Sequence, residues 1–354
     1  MIFDERDLEA AKQSGAIDPA SFDRLTTFLK SRSDPAASSD TESLRFLANF
    51  NDVFISTGIV ILAFGLAAAS GTLFGSTGSP LIVLLPVIAA LWALLEYFAG
   101  RRRLLLPSMT LSAMIAFLAA MLTSLMVSGL VDPDSLGQRV LSGGPRLLRD
   151  FSLSAALGGG AAALAVFVRF RLPFALFLVA IAAAFCAYTL AASYGNIGLL
   201  YGGLSSLVIG LFTLAVAIGF DARDPERAGL SSDNAFWLHL AAAPQIMLGL
   251  RGVVTGSGIG PTGADDAGLL ILALVCVGLL SVALNRRALI ASGLVSFWLA
   301  LNAVFGLGGV MWTLLLLGGG IVLLGAGWKT ARRLVLSFVP KTELFGRVFP
   351  PEPL

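Results

Sequence analysis

Ten apolar runs, each about 16 to 24 residues long, leave this chain few ways to fold. The hydrocarbon core of a bilayer is roughly 30 Å thick, and about 20 apolar residues in an α-helix cross it. An open sheet would leave backbone N–H and C=O groups unpaired in lipid, so these runs are predicted to be helices. The sequence therefore predicts an all-α, polytopic integral membrane protein with about ten transmembrane helices. The predicted spans are residues 53–74, 80–98, 107–130, 151–168, 173–192, 197–219, 235–250, 267–284, 288–306 and 309–328.

Composition narrows the classes of function. Apolar residues make up 56% of the chain and charged residues 13%. Soluble domains contain about 45–50% apolar and about 25% charged residues. The formal net charge is +2 and the basic residues are scattered through short loops, which excludes nucleic-acid binding as the main activity. The two cysteines, Cys186 and Cys276, lie inside apolar runs, and the chain has one histidine. We therefore predict no disulfide framework, no metal site and no cofactor.

The distribution of Lys and Arg predicts the orientation of the helices, because cytoplasmic loops of membrane proteins are enriched in these residues. With ten spans and a cytoplasmic N-terminus, 20 of the 24 Lys and Arg residues lie in the cytoplasm, Arg223 among them. Removing the seventh span, which is the shortest and most polar, reduces that number to 14. Ten spans with both termini in the cytoplasm are therefore expected.

The chain is predicted to have four parts. Residues 1–32 form a small cytoplasmic helical hairpin, in which Gly15 stops one helix and Asp18-Pro19 caps and begins the next. Residues 33–52 are a linker, residues 53–328 the transmembrane domain, and residues 329–354 a basic amphipathic tail expected to lie against membrane lipids. Two short helices cannot bury a stable core alone, so the hairpin is expected to dock on the membrane domain, a second copy of the chain or a partner protein.

Several segments are similar to those of a group of bacterial proteins. They are DLEAAKQSGAIDPASFDRLTTFL near the N-terminus, RFLANFNDVF at the first span, DNAFWLHLAAAPQI in the seventh and LLGAGWKTARRLVLSFVP at the end of the tenth. Together they resemble bacterial predicted membrane proteins of the DUF2157 type. The resemblance covers both ends and the seventh span. It implies a bacterial inner-membrane protein of unassigned activity, and it transfers no catalytic residue.

The seventh span carries the most informative polar residues, because polar groups inside a membrane are costly and often functional. Pro244 has no N–H to donate to the Leu240 carbonyl and is expected to break the helix near mid-depth. Gln245 adds two donors and an acceptor, and broken helices bind ions or substrates in transporters. We predict a substrate site formed by Gln245, Pro244 and His239, joined by Asn302 of the ninth span. The alternative is a structural kink in which His239 and Gln245 bond to neighbouring helices.

Two carboxylates near the membrane boundary are candidates for proton or ion-pair chemistry. Asp52 opens the first span, where the alternative is a helix N-cap. Glu96 lies one turn from the inner end of the second span, where the alternative to a proton-carrying role is an ion pair with Arg101, Arg102 or Arg103. No Asp or Glu lies at a clear mid-membrane position, which argues against a strongly proton-driven pump.

Glycine clusters predict where helices pack closely, because small residues let transmembrane helix backbones approach one another. The clusters are residues 158–160, residues 202–203 with Gly210, and residues 318–320 with Gly325. Close packing is expected at all three.

Two functions from different classes fit these observations. The first is a carrier or permease-like protein for a small or amphipathic substrate, favoured by the ten spans, the short loops, the break at Pro244 and a faint similarity between RFRLPFALFLVA and NRRALIASGLVS. The alternative is a membrane scaffold or regulatory protein that recruits a partner through residues 1–32. An enzyme is not expected, because the chain has no HExxH motif or Asp-rich diphosphate site, and no catalytic residue is assigned.

Overall fold

A computed structural model describes residues 12, 14–15, 17–32, 50–74, 79–128, 133–193, 198–224, 229–256, 264–285 and 310–338. Over these residues the protein is all-helical, which confirms the predicted fold class at that level. The ninth predicted span with Asn302, most of the linker and the tail beyond residue 338 lie outside the described residues.

Eleven α-helices, numbered α1 to α11, are present in the described residues. Four of them begin at a proline, whose fixed φ suits the first turn of a helix. α3 continues as a π-helical turn, Glu96–Arg102. The helices are α1 (Pro19–Arg32), α2 (Phe50–Phe74), α3 (Pro80–Leu95), α4 (Leu105–Ser128), α5 (Pro133–Phe170), α6 (Pro173–Ser193), α7 (Gly198–Asp221), α8 (Leu230–Thr255), α9 (Ala264–Leu284), α10 (Val310–Ala326) and α11 (Trp328–Ser337).

α1 belongs to a small unit, separate from the large unit that contains all the other helices. The Ser21 N–H donates to Oδ2 of Asp18 at 3.0 Å, so the predicted cap is confirmed. The Ser21 hydroxyl, and then this N–H, hold the pKa of the Asp18 carboxyl below its usual value. Gly15 has a φ of +74°, the left-handed conformation expected where a helix stops. Most of the first predicted helix lies outside the described residues, so the hairpin stays a prediction.

Seven helical segments in the described part of the chain are long and apolar enough to cross a membrane, or eight if one bent pair is a single span. The large apolar side chains Phe64, Phe117 and Phe212 on their outer faces are 61 to 68% exposed. Such surface is unfavourable in water but matches lipid chains, which are equally apolar. The chain is therefore a multi-pass membrane protein. The seven segments are Phe50–Phe74, Pro80–Arg102, Leu105–Val127, Arg146–Phe170, Pro173–Ala191, Gly203–Asp221 and Asp266–Leu284.

The predicted count of ten spans is not confirmed, and α8 shows one reason. This helix contains the seventh predicted span and is 26 residues long, yet it is absent from the seven apolar segments. Fourteen of its residues are buried by the rest of the structure. Polar residues of transmembrane helices almost always face the interior of the bundle, so a helix that is buried by other helices can carry more of them. Hydropathy is therefore a poor guide to its position.

One predicted boundary is wrong. α5 already begins at Pro133, whereas the fourth predicted span begins at residue 151. α10, Val310–Ala326, agrees with the tenth predicted span, residues 309–328, to within two residues, and the segments Leu314–Leu323 and Trp328–Ser337 meet at 81°. The indole N–H of Trp328 donates to Oδ1 of Asn285 at 2.7 Å, which fixes the start of α11 against the end of α9.

The buried core of the large unit has two main parts. In the first part, α2 to α5 and the start of α6 pack around residues such as Leu91 and Leu111. The second packs α7, α8 and α9 around Met247 and Leu270. Ala180 of α6 packs against α7 and α8, so α6 links the two parts. The polar residues of the seventh predicted span lie in the second part.

Candidate functional site

α7 and α8 are antiparallel helices in unusually close contact. Gly203 faces Gly252, Leu207 faces Gly249, and Gly210 faces Ile246 and Gln245. A Cβ added at Gly252 would lie 2.5 Å from the Gly203 Cα, and one at Gly249 would overlap the Leu207 backbone nitrogen. Close packing predicted at Gly203 and Gly210 is therefore confirmed.

The other two glycine clusters differ from one another. A Cβ at Gly158 would overlap the Thr123 side chain, and one at Gly160 would lie 3.1 Å from the Ala182 Cβ, so close packing is confirmed there. At residues 318–320 and Gly325 no described atom lies within 4 Å of an added Cβ. Within the part of the chain that the structure describes, this third cluster makes no close helix contact.

Gln245 lies between three helices and is 5% exposed. Its Oε1 accepts a hydrogen bond from the Thr213 hydroxyl of α7 at 3.3 Å, and its Nε2–H donates to the Ala180 carbonyl of α6 at 3.4 Å. The Ser206 hydroxyl of α7 donates to the Gln245 backbone carbonyl at 2.9 Å. This arrangement agrees with the structural alternative, interhelical hydrogen bonding. A substrate-binding role for Gln245 stays a prediction.

The expected break at Pro244 is wrong. α8 runs as one helix from Leu230 to Thr255, with Pro244 inside it. Pro86 is likewise inside α3 without interrupting it. Neighbouring helices and hydroxyl side chains can satisfy the backbone near a proline in a transmembrane helix.

A buried pair of ionisable residues lies near the end of α7 and in the third turn of α8. The Nε2–H of His239 donates to Oδ2 of Asp221 at 2.8 Å. The side chains of His239 and Asp221 are 0% and 7% exposed. His239 therefore bonds to a neighbouring helix, as the structural alternative states, but the sequence analysis did not foresee a carboxylate as its partner.

The sequence contained a signal for this pair. Consecutive transmembrane helices joined by a short loop are usually antiparallel neighbours. An acid at the end of one and a histidine near the start of the next are then brought to the same end of the bundle. Asp221 and His239 are 18 residues apart and meet this condition.

The two other predicted carboxylates have different surroundings. Glu96 makes a bidentate ion pair with Arg169 of α5, in which Nε–H and Nη2–H donate to its carboxylate at 3.0 and 3.1 Å. An ion pair is therefore present, but the partner is Arg169, and Arg102 bonds to the Tyr97 hydroxyl instead. Asp52 lies in the first turn of α2 and is 7% exposed. It is therefore inside the helix and not at the N-cap, which was the alternative to a proton or ion-pair role.

Two arginines elsewhere in the large unit are also buried. Arg251 is in α8 and is 4% exposed. Arg332, assigned to the surface tail, is in α11 and is 3% exposed. No group of three or more His, Cys, Asp or Glu side chains that could hold a metal is present among the described residues.

No protein family matches the chain, and neither the curated proteins nor the solved structures include one that is similar to it. The resemblance to the DUF2157 type therefore stays a prediction.

Proposed function

We propose that this multi-pass membrane protein is a proton-coupled carrier of a small or amphipathic substrate. The buried Asp221–His239 pair is the observation that carries the proposal. Replacing a buried ion pair by apolar residues is often neutral or stabilising, so stability alone does not require one. Histidine is the side chain whose ordinary pKa lies between pH 5 and 8, and buried acid–histidine groups serve as proton relays in pumps and transporters.

The helices around the pair carry few other charges. α6 has none, α7 has Asp221 alone, and α8 has Asp233, His239 and Arg251. Uptake or release of one proton at the pair therefore changes a large part of the charge of this three-helix group. Charge inside a membrane is costly, so the proton favours one arrangement of the helices over another. This is the coupling that a carrier requires.

Gln245 supplies a place where a substrate binds during such a rearrangement. Its two side-chain hydrogen bonds are 3.3 and 3.4 Å long, whereas strong bonds of this type are about 2.7–3.2 Å. A polar group of a substrate can replace these weak bonds at a small cost. Gln245 is therefore the residue that we assign to the substrate, and Asp221 with His239 to the proton.

The test is substrate-driven proton flux in proteoliposomes. The purified chain is reconstituted into vesicles loaded with the pH dye pyranine, and a panel of small organic acids, amines and amphipathic compounds is added under a fixed pH gradient. At least one compound is expected to drive a pH change that Asp221→Asn and His239→Gln reduce at least tenfold.

Asp266→Asn is the matched control, because Asp266 is a carboxylate in the first turn of α9 and outside the pair. Its flux is expected to equal that of the wild type. Absence of flux with every compound, or equal flux in Asp221→Asn and the wild type, contradicts the carrier proposal.

A membrane scaffold or regulatory protein is the second candidate. Two observations favour it: α1 belongs to a unit of its own, and the interior around Gln245 is closely packed. In this function residues 1–32 recruit a protein partner or a second copy of the chain. Deletion of these residues would abolish a cellular effect of the protein without changing proton flux.

We also propose that α8 crosses the membrane and that both termini face the cytoplasm of a bacterium. Single cysteines at positions 142, 223 and 258, in a cysteine-free background, are labelled in intact cells with an impermeant maleimide. Positions 142 and 258 are expected to react, and position 223 only after permeabilisation. Equal reactivity at 223 and 258 would show that α8 does not separate them.

A further inference from the structure

An open groove of about 670 Å³ lies on the surface between α3 and α5. Ala161 and Ala165 are one turn apart on one face of α5, and Leu164 and Val168 are one turn apart beside them. The groove therefore follows α5 for about two turns with an apolar lining. Its lining residues are Trp92, Ala161, Leu164, Ala165, Val168 and Arg169.

Arg169 marks one end of this α3–α5 groove and is held in a defined position. Its bidentate ion pair with Glu96 fixes the guanidinium, which also lies 5.4 Å from the centre of the Phe170 ring. The Arg169 side chain is nevertheless 61% exposed. Because a guanidinium has five N–H donors, the pair with Glu96 leaves donors that can bind a ligand at the end of the groove.

The charges beside Arg169 are mostly positive. Over residues 94–104 and 165–172, the structure contains five arginines, all exposed, and one carboxylate, that of Glu96. Each basic residue close to a membrane surface attracts anionic lipid by about 1 kcal/mol. The arginines are Arg101, Arg102, Arg103, Arg169 and Arg171.

We propose that the α3–α5 groove binds one anionic phospholipid. Its acyl chain lies along the alanine face of α5 and against Trp92, and its phosphate binds the exposed side of the Arg169 guanidinium. Glu96 is a positioning residue, because it orients the guanidinium without contacting the lipid chain. Surplus positive charge favours an anionic headgroup over a neutral one, and the apolar lining favours a lipid over a free phosphate ion. This site is independent of the proposed carrier function.

Trp92 provides a direct readout, since bromine atoms on an acyl chain quench a neighbouring indole. The full-length chain is reconstituted into phosphatidylcholine vesicles that contain a few per cent of brominated phosphatidylglycerol or brominated phosphatidylcholine. The contribution of Trp92 is the difference between the wild type and Trp92→Phe. We expect brominated phosphatidylglycerol to quench the fluorescence of Trp92 at a concentration at least tenfold lower than brominated phosphatidylcholine does.

Two variants separate the headgroup contact from the acyl contact. Arg169→Gln is expected to remove most of the preference for phosphatidylglycerol, whereas Arg149→Gln, at the other end of the membrane-spanning part of α5, is expected to retain it. Ala165→Trp fills the groove and is expected to reduce the total retention of phosphatidylglycerol on the purified protein, whereas Leu157→Trp, on an exposed position of the same helix, is not.

Equal quenching of Trp92 by the two brominated lipids would overturn the proposal. So would an unchanged preference in Arg169→Gln. If Arg169→Gln does not fold, the comparison of the two lipids in the wild type and the retention by Ala165→Trp still decide the question.

Discussion

Gly249→Leu is expected to lower the free energy of unfolding by about 3 kcal/mol or more. A Cβ at Gly249 already overlaps the backbone nitrogen of Leu207, so a leucine there forces α7 and α8 apart. Overpacking of a core usually costs about 1–3 kcal/mol, and backbone cannot move aside as a flexible side chain can. The gain in helix propensity over glycine, about 1 kcal/mol, is smaller. Thermal unfolding of the purified protein in detergent measures the change.

Gly278→Leu on α9 is the matched control. A Cβ at Gly278 has no described atom within 4 Å, so this substitution is expected to leave the free energy of unfolding unchanged or to raise it by up to about 1 kcal/mol through helix propensity. Separation of α7 and α8 would also break the hydrogen bond between Ser206 and the Gln245 carbonyl. A Gly249→Leu protein as stable as the wild type would contradict the close contact.

Hydropathy predicted the helical segments well wherever a helix faces lipid. α2, α6 and α9 agree with their predicted spans to within a few residues, because long apolar runs have one stable form in a bilayer. The same signal is weak for α8, whose polar residues are enclosed by other helices. It also cannot show that α5 begins as early as Pro133, because a helix outside the hydrocarbon need not be apolar.

Pairwise contacts between helices were harder to predict than the helices. Glu96 has three arginines within seven residues, yet its partner is Arg169, 73 positions away. Sequence neighbours were the obvious choice, but the packing of α3 against α5 decided the pair. Gln245 was correctly singled out as a buried polar residue, but its partners Thr213 and Ala180 depend on the arrangement of three helices.

His239→Leu is expected to lower the free energy of unfolding by about 3–5 kcal/mol, because removing one partner of a buried ion pair takes away a bond that offsets the desolvation of the other. Asp221, 7% exposed, loses its 2.8 Å hydrogen bond from the imidazole. The double variant Asp221→Leu/His239→Leu is expected to recover most of this loss, since an apolar pair of similar size needs no such bond. Unfolding of the wild type, both single variants and the double variant gives the coupling energy between the two side chains.

The exposed pair Arg149–Asp150 is the control for this cycle. Its side chains are 40% and 44% exposed, so breaking it is expected to cost less than about 1 kcal/mol. The double variant then separates stability from function. If Asp221 and His239 carry the proton, the double variant is folded and stable but has no substrate-driven proton flux. If it is less stable than either single variant, the pair serves the fold, and the proton-coupling proposal loses the observation on which it rests.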